Sequence, residues 1–123
     1  MKVLLSIKPV YAYKIFDGSK RFEFRKVIFK NPDIKTIIVY ASSPVQKVIG
    51  EFEIDDIWSL EPTQIWEKTK HFSGISKEFF FEYFAQRELA HAIKIKNTLL
   101  YKEALCLKKD LRKSPPQSYL YLS

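Results

Sequence analysis

The chain has 123 residues, of which 46 % are hydrophobic and 15 % aromatic, enough for one hydrophobic core and too few for two. We therefore expect a single domain spanning residues 1–123, and this composition excludes disordered, collagen-like and repeat architectures. The formal net charge of +7 favours a polyanionic partner over a cationic one.

Two features predict a cytoplasmic protein that does not enter a membrane. No apolar run approaches the roughly 18 residues of a membrane span, and the short apolar start leads into Lys8 and Pro9 instead of a cleavage site. The single cysteine, Cys106, cannot form an internal disulfide, and its two leucine neighbours predict a buried thiol. A single buried thiol fits a reducing cytoplasm.

The first half of the chain is predicted to form one helix and four strands. Pro9 suits the first turn of a helix, and Gly18 suits the position that ends it. Gly50, inside the longest of these strands, predicts a bulge or the close approach of another backbone. The predicted elements are strand Val3–Ile7, helix Pro9–Asp17, a strand from about Arg21, strand Thr36–Ala41 and strand Val45–Trp58.

The middle of the chain is predicted to be helical, and the last third to return to strand. A helix begins at Glu61 and Pro62, and Ser76 caps a second helix that carries the aromatic run of residues 79–84. Helical spacing directs this run into the core, although a base-stacking platform or an exposed protein-docking patch would use the same residues. The later elements are strands Leu89–Ile95 and Thr98–Leu107, a charged connection over 108–113 that is compatible with a helix, and a closing strand Tyr119–Leu122.

The positive charge is concentrated at the two ends of the chain. Residues 1–30 carry +6, residues 31–90 carry −4 and residues 91–123 carry +5. If the terminal strands are neighbours, the two basic ends form one positive surface of the kind that nucleic acids bind. A lysine-rich surface that only keeps the protein in solution accounts for the same composition, so the sequence leaves both explanations open.

The segment 18–26 carries the candidate site. After a turn at Gly18, strand alternation places Arg21, Glu23 and Arg25 on one face and the two intervening phenylalanines on the other. A carboxylate between two guanidinium groups offers both donors and an acceptor to a ligand. A solvated outer face with self-neutralising charges is the alternative.

The spacing Gly18-x-Lys20-x-x-Glu23-x-Arg25, after an apolar helix, resembles the G-x-K-x-x-E-x-R signature that opens ASCH domains. The resemblance extends, less specifically, through residues 40–44, 48–52 and 115–118, and so covers nearly the whole chain. It implies an α+β fold, a PUA-like and mostly antiparallel small β-barrel of five to seven strands with about three peripheral helices.

The resemblance and the basic ends together predict a nucleic-acid binding module, for RNA before DNA, that holds a base or modified nucleotide in a basic cleft. Lys20 and Arg25 are the predicted contacts to phosphates or base acceptors, and Glu23 is the predicted contact to a base-edge donor. We expect the Lys20 and Glu23 heads within hydrogen-bond or one-water reach, Arg25 beside the same cleft, and the loop of Ser42 and Ser43 in its wall. Further candidates are Lys8, Tyr40, Ser42, Ser43 and Gln117.

An enzyme is the alternative that the same resemblance implies. Some ASCH proteins are small amidohydrolases that remove the acetyl group from acetylated cytidine with a motif lysine, a threonine and a later glutamate. Lys20 matches that lysine, and with Glu23 nearby it would act as the base. Glu23 stands at the threonine position, however, and residues 71–76 offer no counterpart of the later glutamate, which favours the binding function.

No metal and no cofactor are predicted. The candidate soft ligands His71, His91 and Cys106 are widely spaced and fall on different elements, whereas zinc sites use closely spaced ligand pairs. No glycine-rich phosphate loop is present in the sequence.

Overall fold

A six-stranded sheet with helices packed on it forms the framework of the protein, and the computed structural model describes all of residues 1–123. The strands are β1 (Lys2–Ile7), β2 (Phe22–Arg25), β3 (Thr36–Ala41), β4 (Lys47–Leu60), β5 (Ala90–Leu105) and β6 (Tyr119–Leu122). The helices are α1 (Pro9–Asp17), α2 (Pro62–Thr69), α3 (Lys77–Tyr83) and α4 (Leu107–Leu111), and a 3₁₀ turn covers Lys70–Phe72. This is an α+β fold.

The strand order in the sheet is β2-β5-β4-β3-β1-β6. β1 runs parallel to β3, and every other neighbouring pair is antiparallel. The terminal strands β1 and β6 are neighbours, with Val3 opposite Tyr121. No ladder joins β2 to β6, so the sheet is not closed and the predicted barrel is not confirmed.

Helix α1 has the predicted bounds because its ends carry local signals. Pro9 occupies the first turn, where a missing N–H costs nothing, and Gly18 ends the helix in the left-handed region at φ 88°. Ala12 and Ile15 are the residues it buries, and both belong to the largest core cluster, between α1 and the sheet. The chain then turns directly into β2, which places the motif beside the helix.

Gly50 confirms the prediction of a bulge and a close approach. Between Val48 and Gly50 the pairing register of β4 shifts against both of its neighbours, β3 and β5. A Cβ atom at this position would lie 2.5 Å from the carbonyl oxygen of Leu99 and 2.6 Å from Cζ of Phe16. Only glycine lets the strand pass between these two groups.

The second half of the chain corrects two predictions. The two strands predicted over 89–107 are one strand, β5, because the long strand β4 pairs with it from Leu60 opposite Ala90 to Val48 opposite Leu105. Register shifts along this pair accommodate the extra residues of β5 without ending the strand. The Cys106 thiol is only partly buried, and its sulfur accepts a hydrogen bond from the Lys109 amide as the cap of α4.

A second core cluster lies between the sheet and the pair α2 and α3. Phe80 and Phe84 are buried there against Phe24 of β2, with Trp66 of α2 beside them. The aromatic run of α3 thus supplies core residues, as its spacing predicted, and it anchors α3 over β2. No helix in the protein has the length and apolar character needed to cross a membrane.

Candidate nucleic-acid interface

A cavity of about 280 Å³ opens beside β2, between the end of β1 and helix α3. Apolar and aromatic side chains form half of its lining, and charged groups converge from the motif and the start of α1. Concave sites with apolar walls and a few convergent polar groups are the usual form of a small-ligand site. The lining residues are Ser6, Ile7, Lys8, Tyr11, Lys20, Glu23, Phe24, Arg25, Ile75, Phe79, Tyr83 and Gln117.

Lys20 is buried in the wall of this cavity, with 2 % of its surface exposed. Its ammonium donates a 2.7 Å hydrogen bond to the carbonyl of Ser73 and lies 4.7 Å from the ring centroid of Phe24 and 5.6 Å from that of Tyr11. Burial of an ammonium among aromatic rings is costly unless a hydrogen-bond partner compensates it. The Ser73 carbonyl is that partner, and the ring faces add cation–π attraction.

Burial changes the acid–base behaviour of Lys20. Removal of the ammonium from water lowers the pKa of Lys20 to about 8, the nearby Glu23 carboxylate opposes this shift, and Lys14 adds to it. No hydrogen bond or ion pair joins Lys20 to Glu23 directly. A substantial fraction of neutral amine is therefore present slightly above neutral pH.

Glu23 and Arg25 form a buried ion pair that also lines the cavity. Arg25 Nη1 lies 3.3 Å from Glu23 Oε2, and both side chains are largely buried. The same guanidinium donates to the carbonyl of Ser6 in β1 at 3.3 Å and to that of Ser118, just before β6, at 2.7 Å. Arg25 thus spans from one edge strand to the segment that leads into the other.

The segment 73–75 covers the stem of Lys20. Gly74 has φ 71°, and a Cβ atom there would lie 2.5 Å from Cβ and 2.6 Å from Cγ of Lys20. The Lys14 ammonium donates to the Gly74 carbonyl at 3.2 Å. Two lysines therefore bind two successive carbonyls of this segment, which fixes it as one wall of the site.

The structure gathers five of the eight predicted site residues around the cavity. Lys20, Glu23 and Arg25 share it as expected, and Lys8 and Gln117 complete the group. Their roles in binding remain predictions.

The other three candidates lie away from the cavity. Tyr40 is buried in a separate cluster with Leu4 and Val48 on the opposite side of the sheet, because strand alternation turns it there. Ser42 and Ser43 do not line the cavity either, so the predicted wall is wrong. The Ser42 amide donates to the carbonyl of Ile7 at 2.9 Å, which uses it within the fold instead of for a ligand.

The sequence analysis missed the aromatic wall. Tyr11, Phe79 and Tyr83 face the cavity, whereas helical spacing predicted a core position for the run 79–84 as a whole. Phe79 and Tyr83 are four residues apart on α3. Their rings stack with centroids 6.2 Å apart and an interplanar angle of 12°. That spacing is a second stripe beside the core stripe of Phe80 and Phe84, and it was the signal available in the sequence.

Comparison with known proteins places the chain in a family. The ASCH domain model matches residues 5–99. The chain belongs to the ASCH domain family. This ASCH domain is 32 % identical over 121 residues to the ATP synthase subunit alpha of Ureaplasma parvum, a match that covers 98 % of the chain and 15 % of that protein.

Two further relatives are curated proteins of different lengths. The large ribosomal subunit protein uL22 of Ureaplasma parvum is 28 % identical over 123 residues, with 98 % of the ASCH domain and 39 % of the relative covered. An ASCH domain-containing ribonuclease from Zymomonas mobilis is 27 % identical over 124 residues, with 98 % and 84 % covered. The chain spans less than half the length of the two Ureaplasma proteins.

Solved structures agree with the fold. The crystal structure of ASCH from Zymomonas mobilis superposes with a TM-score of 0.90 at 27 % identity and covers 99 % of this ASCH domain and 87 % of that chain. A tyrosine-to-phenylalanine mutant of the same protein gives 0.89 at 25 % identity, with 99 % and 90 % covered.

Proposed function

We propose that this ASCH domain is an RNA-binding module that takes one base of a single-stranded RNA into the cavity beside β2. The observation that carries the proposal is the joint lining of that cavity by aromatic rings and by the Glu23 carboxylate. Rings stack on the faces of bases, and a carboxylate accepts hydrogen bonds from exocyclic amino groups. Lys20 and Arg25 border the same space as donors to base acceptors.

Two observations support RNA as the ligand: the name of a relative and the distribution of positive charge. The Zymomonas relative is named a ribonuclease. The two basic ends of the chain meet where β1 pairs with β6, which brings positive charge together for a phosphate backbone. Single-stranded RNA is favoured over duplex, because only an unpaired base can leave its stack and enter a cavity.

The same proposal extends to the curvature of the sheet and to the cellular compartment in which the domain works. Residues 1–123 would act as one PUA-like unit. The hydrogen bonds of Arg25 would connect the two unpaired edges of the sheet and keep it curved like a barrel. It would work in a reducing cytoplasm and without a metal or cofactor.

A titration of single-stranded RNA at low and high salt tests the binding function. We expect affinity to fall steeply with salt, and Glu23→Gln to weaken binding to one base preferentially by about tenfold. Glu103→Gln is the matched control. Glu103 is an exposed carboxylate in β5, distant from the part of that strand that pairs with β2. The absence of detectable RNA binding at low salt would remove the proposal.

A second candidate is a hydrolase in which Lys20 acts as base. The observation in its favour is the pKa of Lys20, lowered to about 8 by burial in the cavity wall. Incubation with acetylated cytidine, and separately with RNA, would reveal acetate release or strand cleavage. Activity lost in Lys20→Ala and growing as pH rises toward 8 supports the hydrolase, whereas activity that survives in Lys20→Ala rejects it.

A further inference from the structure

Two lysines flank the aromatic wall of the cavity. The Phe79 and Tyr83 rings stack nearly parallel on α3. The Lys8 ammonium lies 5.8 Å from the centroid of Phe79, and the Lys26 ammonium lies 4.7 Å from the centroid of Tyr83. Each of the two α3 rings in the wall therefore has a lysine ammonium over it.

Both cations are free for a partner. Lys8 and Lys26 are exposed, and neither forms an ion pair or a side-chain hydrogen bond within the protein. Three other surface lysines, by contrast, already contact carboxylates: Lys2, Lys70 and Lys94. Glu23, the acid inside the cavity, is paired with Arg25.

The position of Lys26 separates it from the cavity itself. Lys26 follows the last residue of β2 and does not line the cavity, although its ammonium lies over a ring that does. Lys8 lines the cavity from the residue before α1, with its ammonium over Phe79. A neutral nucleoside in the cavity would leave Lys26 without a contact, whereas a nucleotide inside a strand carries a phosphate on each side.

We propose that Lys8 and Lys26 bind the two phosphates that flank the captured nucleotide, so that the site recognises an internal position of an RNA strand. This rests on the proposed function and makes it more specific. Each ring holds its lysine stem in place by cation–π attraction, which orders the ammonium before binding and reduces the entropy lost on contact with phosphate. The cavity reads the base, and the two lysines read the chain on either side of it.

Binding of a five-nucleotide single-stranded RNA and of the matching free nucleoside, measured by calorimetry, tests this assignment. We expect Lys8→Gln and Lys26→Gln each to weaken strand binding by roughly threefold to tenfold at low salt. Each should also reduce the slope of log affinity against log salt by about 0.7. Nucleoside affinity should stay within about twofold in Lys26→Gln, because Lys26 does not line the cavity.

Lys102→Gln is the matched control, since it removes an exposed lysine that makes no ion pair, in the part of β5 away from β2. Strand affinity lost equally in the control, or nucleoside affinity lost together with strand affinity in Lys26→Gln, overturns the assignment. If the wild-type protein binds the nucleoside at least as tightly as the strand, the assignment of Lys8 and Lys26 to phosphates is overturned. Binding of a base in the cavity is still supported by that result. A protein that binds neither ligand overturns the RNA-binding function itself.

Discussion

Lys20 is the residue on which the site depends most directly. Its ammonium is removed from water, held by one carbonyl and covered by two rings. The protein keeps a charge there whose burial opposes folding, because desolvation of an ammonium costs more than one hydrogen bond returns. Such a group responds to pH in a way that surface lysines do not.

The stability of the protein should rise with pH across the titration of Lys20. The folded pKa is about 8 and the ordinary value is 10.5, so between these values the unfolded chain binds the extra proton. Stability therefore increases with pH above about 8, levels off near 10.5, and is lost again as pH falls through 8. Chemical denaturation of wild type and Lys20→Met from pH 7 to 10 should show their difference changing by at most about 1.4 kcal/mol per pH unit. A difference that is flat with pH would contradict the buried state.

Gly74 should be intolerant of a side chain for two separable reasons. Gly74→Ala would place a Cβ at φ 71° and against the Lys20 stem, whereas Gly18→Ala would meet nothing within 4 Å at φ 88°. We expect Gly18→Ala to cost about 1 kcal/mol through backbone strain alone, and Gly74→Ala about 1–3 kcal/mol more through overlap. Equal losses in urea unfolding would show that segment 73–75 does not press on Lys20.

At the scale of elements, the open edges of the sheet are connected by a side chain instead of a ladder. Arg25 at the end of β2 reaches the Ser6 carbonyl of β1 and the Ser118 carbonyl before β6. A planar guanidinium presents five donors in a rigid fork that reaches acceptors on both of its outer sides, whereas a lysine ammonium is a compact point charge. The wall of the cavity formed by Gln117 therefore depends on Arg25.

Arg25→Lys should loosen β6 more than the rest of the sheet. We expect a loss of about 1–3 kcal/mol in unfolding free energy, because at least one buried carbonyl loses its donor. Amide hydrogen exchange should accelerate over Tyr119–Leu122 while Thr36–Ala41 keeps its protection. Arg21→Lys is the control, since the Arg21 guanidinium is exposed over the Phe72 ring. Uniform acceleration in all strands would mean that Arg25 supports the fold only globally.

At the scale of the whole molecule, charge is arranged by topology. The basic ends of the chain are brought together by the pairing of β1 with β6, while the acidic middle contributes α2 and most of β4. A field of this kind accelerates encounter with a polyanion more than it tightens the complex.

Neutralisation of a terminal lysine pair should therefore slow association selectively. We expect the double variant Lys108→Gln with Lys109→Gln to lower the association rate with single-stranded RNA by about twofold to fivefold at low salt, with dissociation unchanged. The control, Lys68→Gln with Lys70→Gln, removes the same charge from the acidic middle. Stopped-flow rates that fall equally in both would show that only net charge matters.

The sequence by itself determined the elements whose signals are local. Pro9 and Gly18 define the ends of α1, Ser76 caps α3, alternation of side chains defines β2, and branched residues favour β3. The motif also indicated that Lys20, Glu23 and Arg25 share one site, because turn and strand geometry act over a few residues.

Only the tertiary structure decided what surrounds those residues. The carbonyl of Ser73, the rings of Phe79 and Tyr83, and the segment before β6 reach the motif from distant parts of the chain. The long pairing of β4 with β5 likewise replaced two predicted strands with one. Burial, the lowered pKa of Lys20 and the openness of the sheet all arise from such distant contacts, which local periodicity does not encode.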